Sequence, residues 1–188
     1  MVGVLGGRRC GYSVRRRDQE ADAYVRSALP SLMGLAMAMT RQRADAEDLV
    51  QETLATVVAR WGRVSAADEI DAYVRRILVN TFLSRARRRS ASEIVTDEVR
   101  PTSPANPDDE PAQLAGSRDL VVGLLRTLTA RQRAVLALRY YEDLADVDIA
   151  AVLDCTEQAV RSAAHAALRA LRATVPDVTA LTHMKGAH

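Results

Sequence analysis

Four prolines, Pro101, Pro104, Pro107 and Pro111, crowd a stretch otherwise rich in Ser, Thr, Asn and acids. Proline fixes φ and lacks a backbone N–H, so this density excludes a helix interior or a central strand. Residues 92–118 are therefore expected to form an acidic, partly extended linker. As a flexible coil it would have an r.m.s. span on the order of 30 Å. The chain then divides into a flexible basic arm (1–20), a helical domain (21–91), the linker (92–118), a second helical domain (119–174) and a disordered tail (175–188). The arm carries Gly3, Gly6, Gly7 and Gly11 among arginines, the pattern of a disordered segment or of a start codon placed too early.

Both flanking segments are helical in pattern. Hydrophobic content is 48% and comes mostly from Ala, Leu and Val, while aromatics make up 4%. Ala and Leu favour helices, and alternating β-branched runs are scarce, so the fold class is all-α. A first helix is expected from Ala21 to about Ala28, with Pro30 within or just before the next helix start, where Leu32, Leu35, Ala36 and Met39 repeat at helical spacing. Asp45 is the expected N-cap of a third helix, with Leu49, Leu54, Val57, Val58 and Trp61 facing inward and Gly62 as its stop. A loop over 62–70 precedes a fourth helix, Asp71 to Arg89, with Tyr73, Ile77, Leu78, Thr81 and Phe82 inward. After the linker, a short helix is expected over Asp119–Thr127. Thr129 and Gln132 match a capping box for a helix reaching about Tyr141. Asp146 and Thr156 cap two further helices, and Pro176 follows the last.

Three constellations stand out. The last two helices, joined by a tight turn at Leu153-Asp154-Cys155, have helix-turn-helix proportions. In the second of them Val160, Ala164, Ala167, Leu168 and Leu171 form an apolar stripe. Gln158, Arg161, Ser162, His165, Arg169 and Arg172 lie opposite, as groups able to meet base edges or phosphates. An amphipathic helix with a merely solvated polar face fits the same pattern. Arg75, Arg76, Arg85, Arg87, Arg88 and Arg89 crowd the fourth helix with Tyr73 and Phe82 among them. Dipole complementation explains some of them, and phosphate binding explains all. Asn80 joins them as a base-edge candidate. Finally, Asp45-Ala46-Glu47-Asp48-Leu49-Val50-Gln51-Glu52 places acids at a helix start, as dipole partners or as a docking face for a basic protein. Spacing does not choose between these.

Catalytic chemistry has little support. The three histidines are His165, His183 and His188, and there is no phosphate-cradling glycine loop, nucleophile elbow or His-x-x-x-His pair. Cys10 and Cys155 make no metal-ligand pattern, so neither a cofactor nor a metal is expected, and a reduced, cytoplasmic setting is. The run from Leu32 to Met39 is too short to span a bilayer.

In their order along the chain these pieces resemble the extracytoplasmic-function sigma factors of bacterial RNA polymerase, over about Asp22 to Ala173. The acidic run from Asp45 to Glu52 resembles the helix that meets the clamp helices of the polymerase β′ subunit. The resemblance implies polymerase contact by Glu47, Asp48, Gln51 and Glu52. Ala72-Tyr73-Val74-Arg75-Arg76-Ile77-Leu78-Val79-Asn80-Thr81 resembles the helix that opens and reads the −10 element, and the 62–70 loop falls where the family holds an unstacked base. The segments Leu128–Leu136 and Leu138–Leu144 resemble the start of the −35-binding domain, and Val160-Arg161-Ser162 with His165 its recognition helix. The implied DNA-binding set is Arg75, Arg76, Asn80, Arg85, Arg87, Arg88, Gln158, Arg161, Ser162, His165 and Arg169. The implied partners are core RNA polymerase (β′ and β subunits), promoter DNA and an anti-sigma factor, with no small-molecule substrate. Two departures appear: Asp154 stands where the family usually has Gly, and Ala163, Ala164, Ala166 and Ala167 stand where basic residues are common. The residue pattern alone also fits a helix-turn-helix regulator that is not a polymerase subunit, or a helical interaction protein that touches no DNA.

Overall fold

The structure, a computed structural model, describes residues 9–93, 125 and 127–174. The helices are α1 (Arg9–Met39), α2 (Arg43–Ala59), α3 (Trp61–Val64), α4 (Ile70–Glu93), α5 (Ala130–Leu136), α6 (Asp146–Leu153) and α7 (Glu157–Thr174). A π-helical segment, Ala137–Tyr141, continues α5. No strand occurs among the described residues, as an all-α fold requires. The expected linker begins two residues late, since α4 continues to Glu93; the rest of it (94–118), the 119–127 helix for the most part, and the tail from 175 lie outside the described residues.

The first difference from expectation lies at the start. The flexible arm expected to residue 20 is helical from Arg9, and a single helix replaces the two expected around Pro30. Arg16 Nε donates to Glu20 Oε1 at 3.0 Å, an i,i+4 pair that supports the turn. Pro30 lies inside α1. It removes one backbone donor, but packing of the surrounding apolar stripe outweighs that loss: Leu32, Leu35, Ala36 and Met39 are all buried, as their spacing predicts.

In α2 the buried face is Ala46, Leu49, Val50, Thr53 and Val57. Thr53 is polar but satisfied, its hydroxyl donating to Leu49 O at 2.8 Å. The helix starts earlier than expected: Gln42 is the N-cap, and Asp45 sits in the first turn. Val58, expected inward, is 49% exposed, because α2 ends at Ala59 and the chain turns into α3 there. That short helix, with Trp61 and Val64 buried, occupies the start of the expected 62–70 loop, and Gly62 is inside it. Along α4 the buried residues are Val74, Leu78, Val79 and Phe82. Tyr73, Ile77 and Thr81 are only half-buried.

The second set of helices follows its capping signals. Thr129 Oγ1 accepts from Gln132 N at 3.2 Å, and Gln132 Oε1 accepts from Thr129 N at 2.8 Å, a complete capping box. At α6 the N-cap is Ala145, and Asp146 is the first helical residue. Asp146 instead pairs with Arg139 of the π-helical segment. Asp154 ends α6 in the left-handed conformation, φ 50 and ψ 58. Thr156 Oγ1 then accepts from Ala159 N at 3.2 Å, which starts α7.

The two helix sets touch. α1 and α4 pack against α5, the π-helical segment and α6, and one buried cluster runs from Ala21 to Ala164. Gly34 on α1 makes the closest approach possible, since a β-carbon there would overlap the Tyr141 hydroxyl.

A left-handed residue with a side chain costs roughly 1–2 kcal/mol unless its polar group compensates. Asp154→Gly is therefore expected to raise unfolding stability by up to about 1 kcal/mol, and Asp154→Val to lower it by about 1–2 kcal/mol, read by urea denaturation. Thr129→Ala is expected to cost about 1 kcal/mol in the same assay.

Candidate nucleic-acid and partner interfaces

The acidic run occupies the first half of α2, and the arginine run of α4 packs directly beside it. Arg85 Nε donates to Glu52 Oε2 at 2.6 Å, and Arg85 Nη2 to the Asp48 carbonyl at 2.9 Å. Arg88 approaches Glu52 Oε1 at 3.6 Å, and Arg89 Nη2 donates to Asp45 Oδ1 at 2.9 Å. Two of the constellations read separately in the sequence are thus one charge-complementary seam. Glu47 is half-buried and bonded to Arg43, at 2.8 Å. Asp48 and Gln51 are exposed on the outer side of the seam.

The remaining residues of α4 have different settings. Arg76 and Asn80 are exposed. Arg87 donates to Ser84 Oγ at 2.9 Å. Arg75 turns toward the second helix set, where its Nε meets Glu142 Oε2 at 2.7 Å, with side-chain exposures of 22% and 9%. Nearby, Tyr24 of α1 donates to Asp71 Oδ1 at 2.8 Å and tilts its ring against Trp61, centroids 5.5 Å apart. Burial, then the hydrogen bond to and charge of Asp71, pushes the Tyr24 phenol well above its ordinary value. This contact ties α1 to the start of α4 and to α3. Trp61 also lines a cavity of about 190 Å³, together with Arg17, Asp18 and Ala21 of α1 and Val58, Ala59 and Gly62. Of the 62–70 loop, expected to hold an unstacked base, only Gly62 reaches it.

The helix-turn-helix is formed by α6, the left-handed Asp154 and α7. Val160, Ala164 and Ala167 are buried, and Leu168 and Leu171 are half-buried. Gln158, Arg161, Ser162, His165, Arg169 and Arg172 are all exposed, so the structure gathers the expected DNA-reading residues of this helix on one face. Arg161 holds Glu157 at 3.1 Å and Gln158 at 3.3 Å, local surface contacts of little energy that a nucleic acid can replace.

Pattern reading missed Arg133 and Glu142. Arg133 on α5 donates from Nη1 to Met39 O at 3.1 Å and lies 5.3 Å from the centroid of the Phe82 ring. Its Nε is buried without a partner. Burial, with Arg41 and Arg89 nearby, lowers its pKa to about 10. These residues meet partners 94 and 67 positions away, a relation with no local periodicity to betray it.

Residues 24–92 match the family described as Sigma-70 region 2, and residues 124–173 match Sigma-70, region 4. The chain is 32% identical over 153 residues to the RNA polymerase sigma-E factor of Streptomyces coelicolor, covering 81% of this chain and 84% of that protein. It is 31% identical over 149 residues to the ECF RNA polymerase sigma factor SigL of Mycobacterium tuberculosis, covering 76% and 81%. Its fold is similar to that of the sigma factor RpoE from Bartonella quintana, solved in complex with the anti-sigma factor NepR, with TM-score 0.65 and 24% identity over 85% of this chain and 98% of that one. With two domain matches in the order of the two helix sets, and relatives at this identity spanning most of their length, the chain belongs to the sigma-70 family of RNA polymerase sigma factors, in the extracytoplasmic-function group.

Proposed function

We propose how this sigma factor divides its work among the residues described. The outer side of α2 docks on the β′ clamp helices of core RNA polymerase through Asp48 and Gln51, with Glu47 and Glu52 flanking them. The exposed α4 residues Arg76, Asn80 and Arg87 meet the −10 element, joined by Arg75, Arg85 and Arg88 when their carboxylate partners release them. α7 enters the major groove of the −35 element with Gln158, Arg161, Ser162, His165 and Arg169. An anti-sigma factor is the expected inhibitory partner, the chain works in the cytoplasm with the polymerase, and it performs no catalysis itself. No described helix is long and apolar enough to cross a membrane. The observation that carries the reading is the exposed polar face of α7 behind a left-handed helix-turn-helix turn, on the same chain as an acidic helix of region 2. A helix-turn-helix regulator that is not a polymerase subunit would have no use for that acidic helix, and is not favoured.

Run-off transcription with core polymerase and a promoter library tests the docking assignment. The variant of choice is Asp48→Arg/Gln51→Arg, because both residues are exposed and neither side chain belongs to the Arg85 seam. Wild type should give discrete transcripts, and the variant at least about tenfold less, as expected for losing over ~1.4 kcal/mol of core affinity. Equal transcription by both would remove α2 from the interface.

In a gel-shift titration against a cognate −35 duplex, Arg161→Ala should weaken binding by about 1–3 kcal/mol. Arg85→Ala should lower thermal stability by about 0.5–1 kcal/mol, because it leaves Glu52 with only the longer Arg88 contact and the Asp48 carbonyl without its Arg85 donor, and Glu52→Gln by less.

A further inference from the structure

We propose that Glu157 reads promoter sequence directly: in the major groove its carboxylate accepts from the N4 amino group of a cytosine, one or two base pairs from the base met by Arg161. The proposal rests on the −35 assignment of α7 and names one base that the first turn of this helix selects.

Glu157 is the first residue of α7 and its single acid. It lies one turn before Arg161 and two before His165, on the exposed stripe that continues to Arg169. The N-terminal residues of a recognition helix are the ones that meet base edges. Arg161 Nη1 donates to Glu157 Oε2 at 3.1 Å, and Arg161 Nη2 donates to Gln158 Oε1 at 3.3 Å. The Glu157 side chain is nevertheless 50% exposed, and its Oε1 accepts from none of the described residues. The first turn therefore presents an open carboxylate oxygen beside a guanidinium already turned toward the end of the helix that enters the groove. Dipole complementation and a surface ion pair account for an acid here in the free chain, and both are weak. Neither answers the cost in the complex, where the carboxylate faces phosphate charge unless a donor on the DNA receives it.

The chemistry of the groove narrows that donor. Only cytosine N4 and adenine N6 offer an amino group there. Adenine sets the acceptor N7 beside its amine, which repels a carboxylate, whereas cytosine presents its amine alone. Arg161 suits the acceptor pair O6 and N7 of guanine. Residues one turn apart have Cβ atoms about 5–6 Å apart, against roughly 3.4 Å per base pair, so the two contacts fall one or two pairs apart. The rest of the helix gives phosphates little hold. Its arginines are Arg161, Arg169 and Arg172, it has no lysine, and Ala163 and Ala166 are half-buried beside the reading face. Selection by base edges then outweighs backbone attraction, and an acid that repels misplaced phosphates sharpens it.

The test uses holoenzyme assembled from core polymerase and the full chain. A promoter that wild type transcribes is randomised across its −35 element, each template carrying a transcribed barcode, and base preference is read at every position. Glu157→Ala should relax a cytosine preference by at least about fivefold at one position, distinct from the position relaxed by Arg161→Ala. Glu157→Gln, nearly equal in helix propensity, should exchange that preference for adenine, whose N6 and N7 match a carboxamide. A purely structural role for Glu157 would not move a base preference from cytosine to adenine. Preferences unchanged in both variants, or a uniform loss across all positions, would overturn the base contact and leave Glu157 a helix-start acid. Relaxation confined to the Arg161 position would overturn it too, because Glu157 would then act only by orienting that guanidinium. A wild-type preference that survives both Glu157 variants sinks this proposal alone. If wild type shows no base preference anywhere in the element, the −35 assignment of α7 fails and the proposal with it.

Discussion

Opposite charges on α2 and α4 fix the geometry on which the rest of this molecule depends. Asp45 lies in the first turn of α2, where the helix dipole favours an acid, and Glu52 lies two turns further along the same helix. The arginines of α4 claim both, through Arg85, Arg88 and Arg89. Arg85 also holds the Asp48 carbonyl, so the backbone of α2 as well as its side chains is anchored to α4. That seam is partly exposed, and its energy is modest; what it supplies is orientation. With the inner edge of the acidic face tied down, the outer edge, Asp48 and Gln51, presents a fixed outline to a partner. The side of the first domain proposed to face polymerase and the side proposed to face DNA are in this way mechanically joined.

The second domain reaches its shape by a different route. Its helices are short, and their ends are set by local devices: the Thr129–Gln132 box, the left-handed Asp154, and the Thr156 hydroxyl at the start of α7. Asp154 keeps the turn that the family usually gives to glycine, because a short acidic side chain tolerates the left-handed region better than most. The recognition face then follows from periodicity alone, since burying Val160, Ala164 and Ala167 forces Arg161, Ser162 and His165 outward.

These routes explain what the sequence made legible. Amphipathic stripes and capping motifs are local, so the apolar stripe from Leu32 to Met39, the Thr129 box, the Asp154 turn and the split faces of α7 were all readable from spacing. Long-range pairing is not local. Nothing in the spacing of Arg85 and Glu52 says that they meet, and the arginine run looked like a phosphate-binding patch for that reason. The N-terminal half of α1 was misread because glycines and arginines resemble a disordered arm, whereas arginine is a good helix former once packing begins downstream. Pro30 looked like a helix boundary, yet the buried residues after it hold the helix through. Glu142 and Arg133 acquire meaning only from contacts across the two helix sets.

The aromatic economy of the chain has an optical consequence. Its one tryptophan, Trp61, is buried in the first domain beside Tyr24, away from the contact that Gly34 and Tyr141 make. Emission from that indole therefore reports the integrity of α1, α2 and α3 and is nearly blind to the helix-turn-helix. A fluorescence melt of this protein follows one domain, and a circular dichroism melt follows both. Any gap between the two curves measures how far the domains unfold independently.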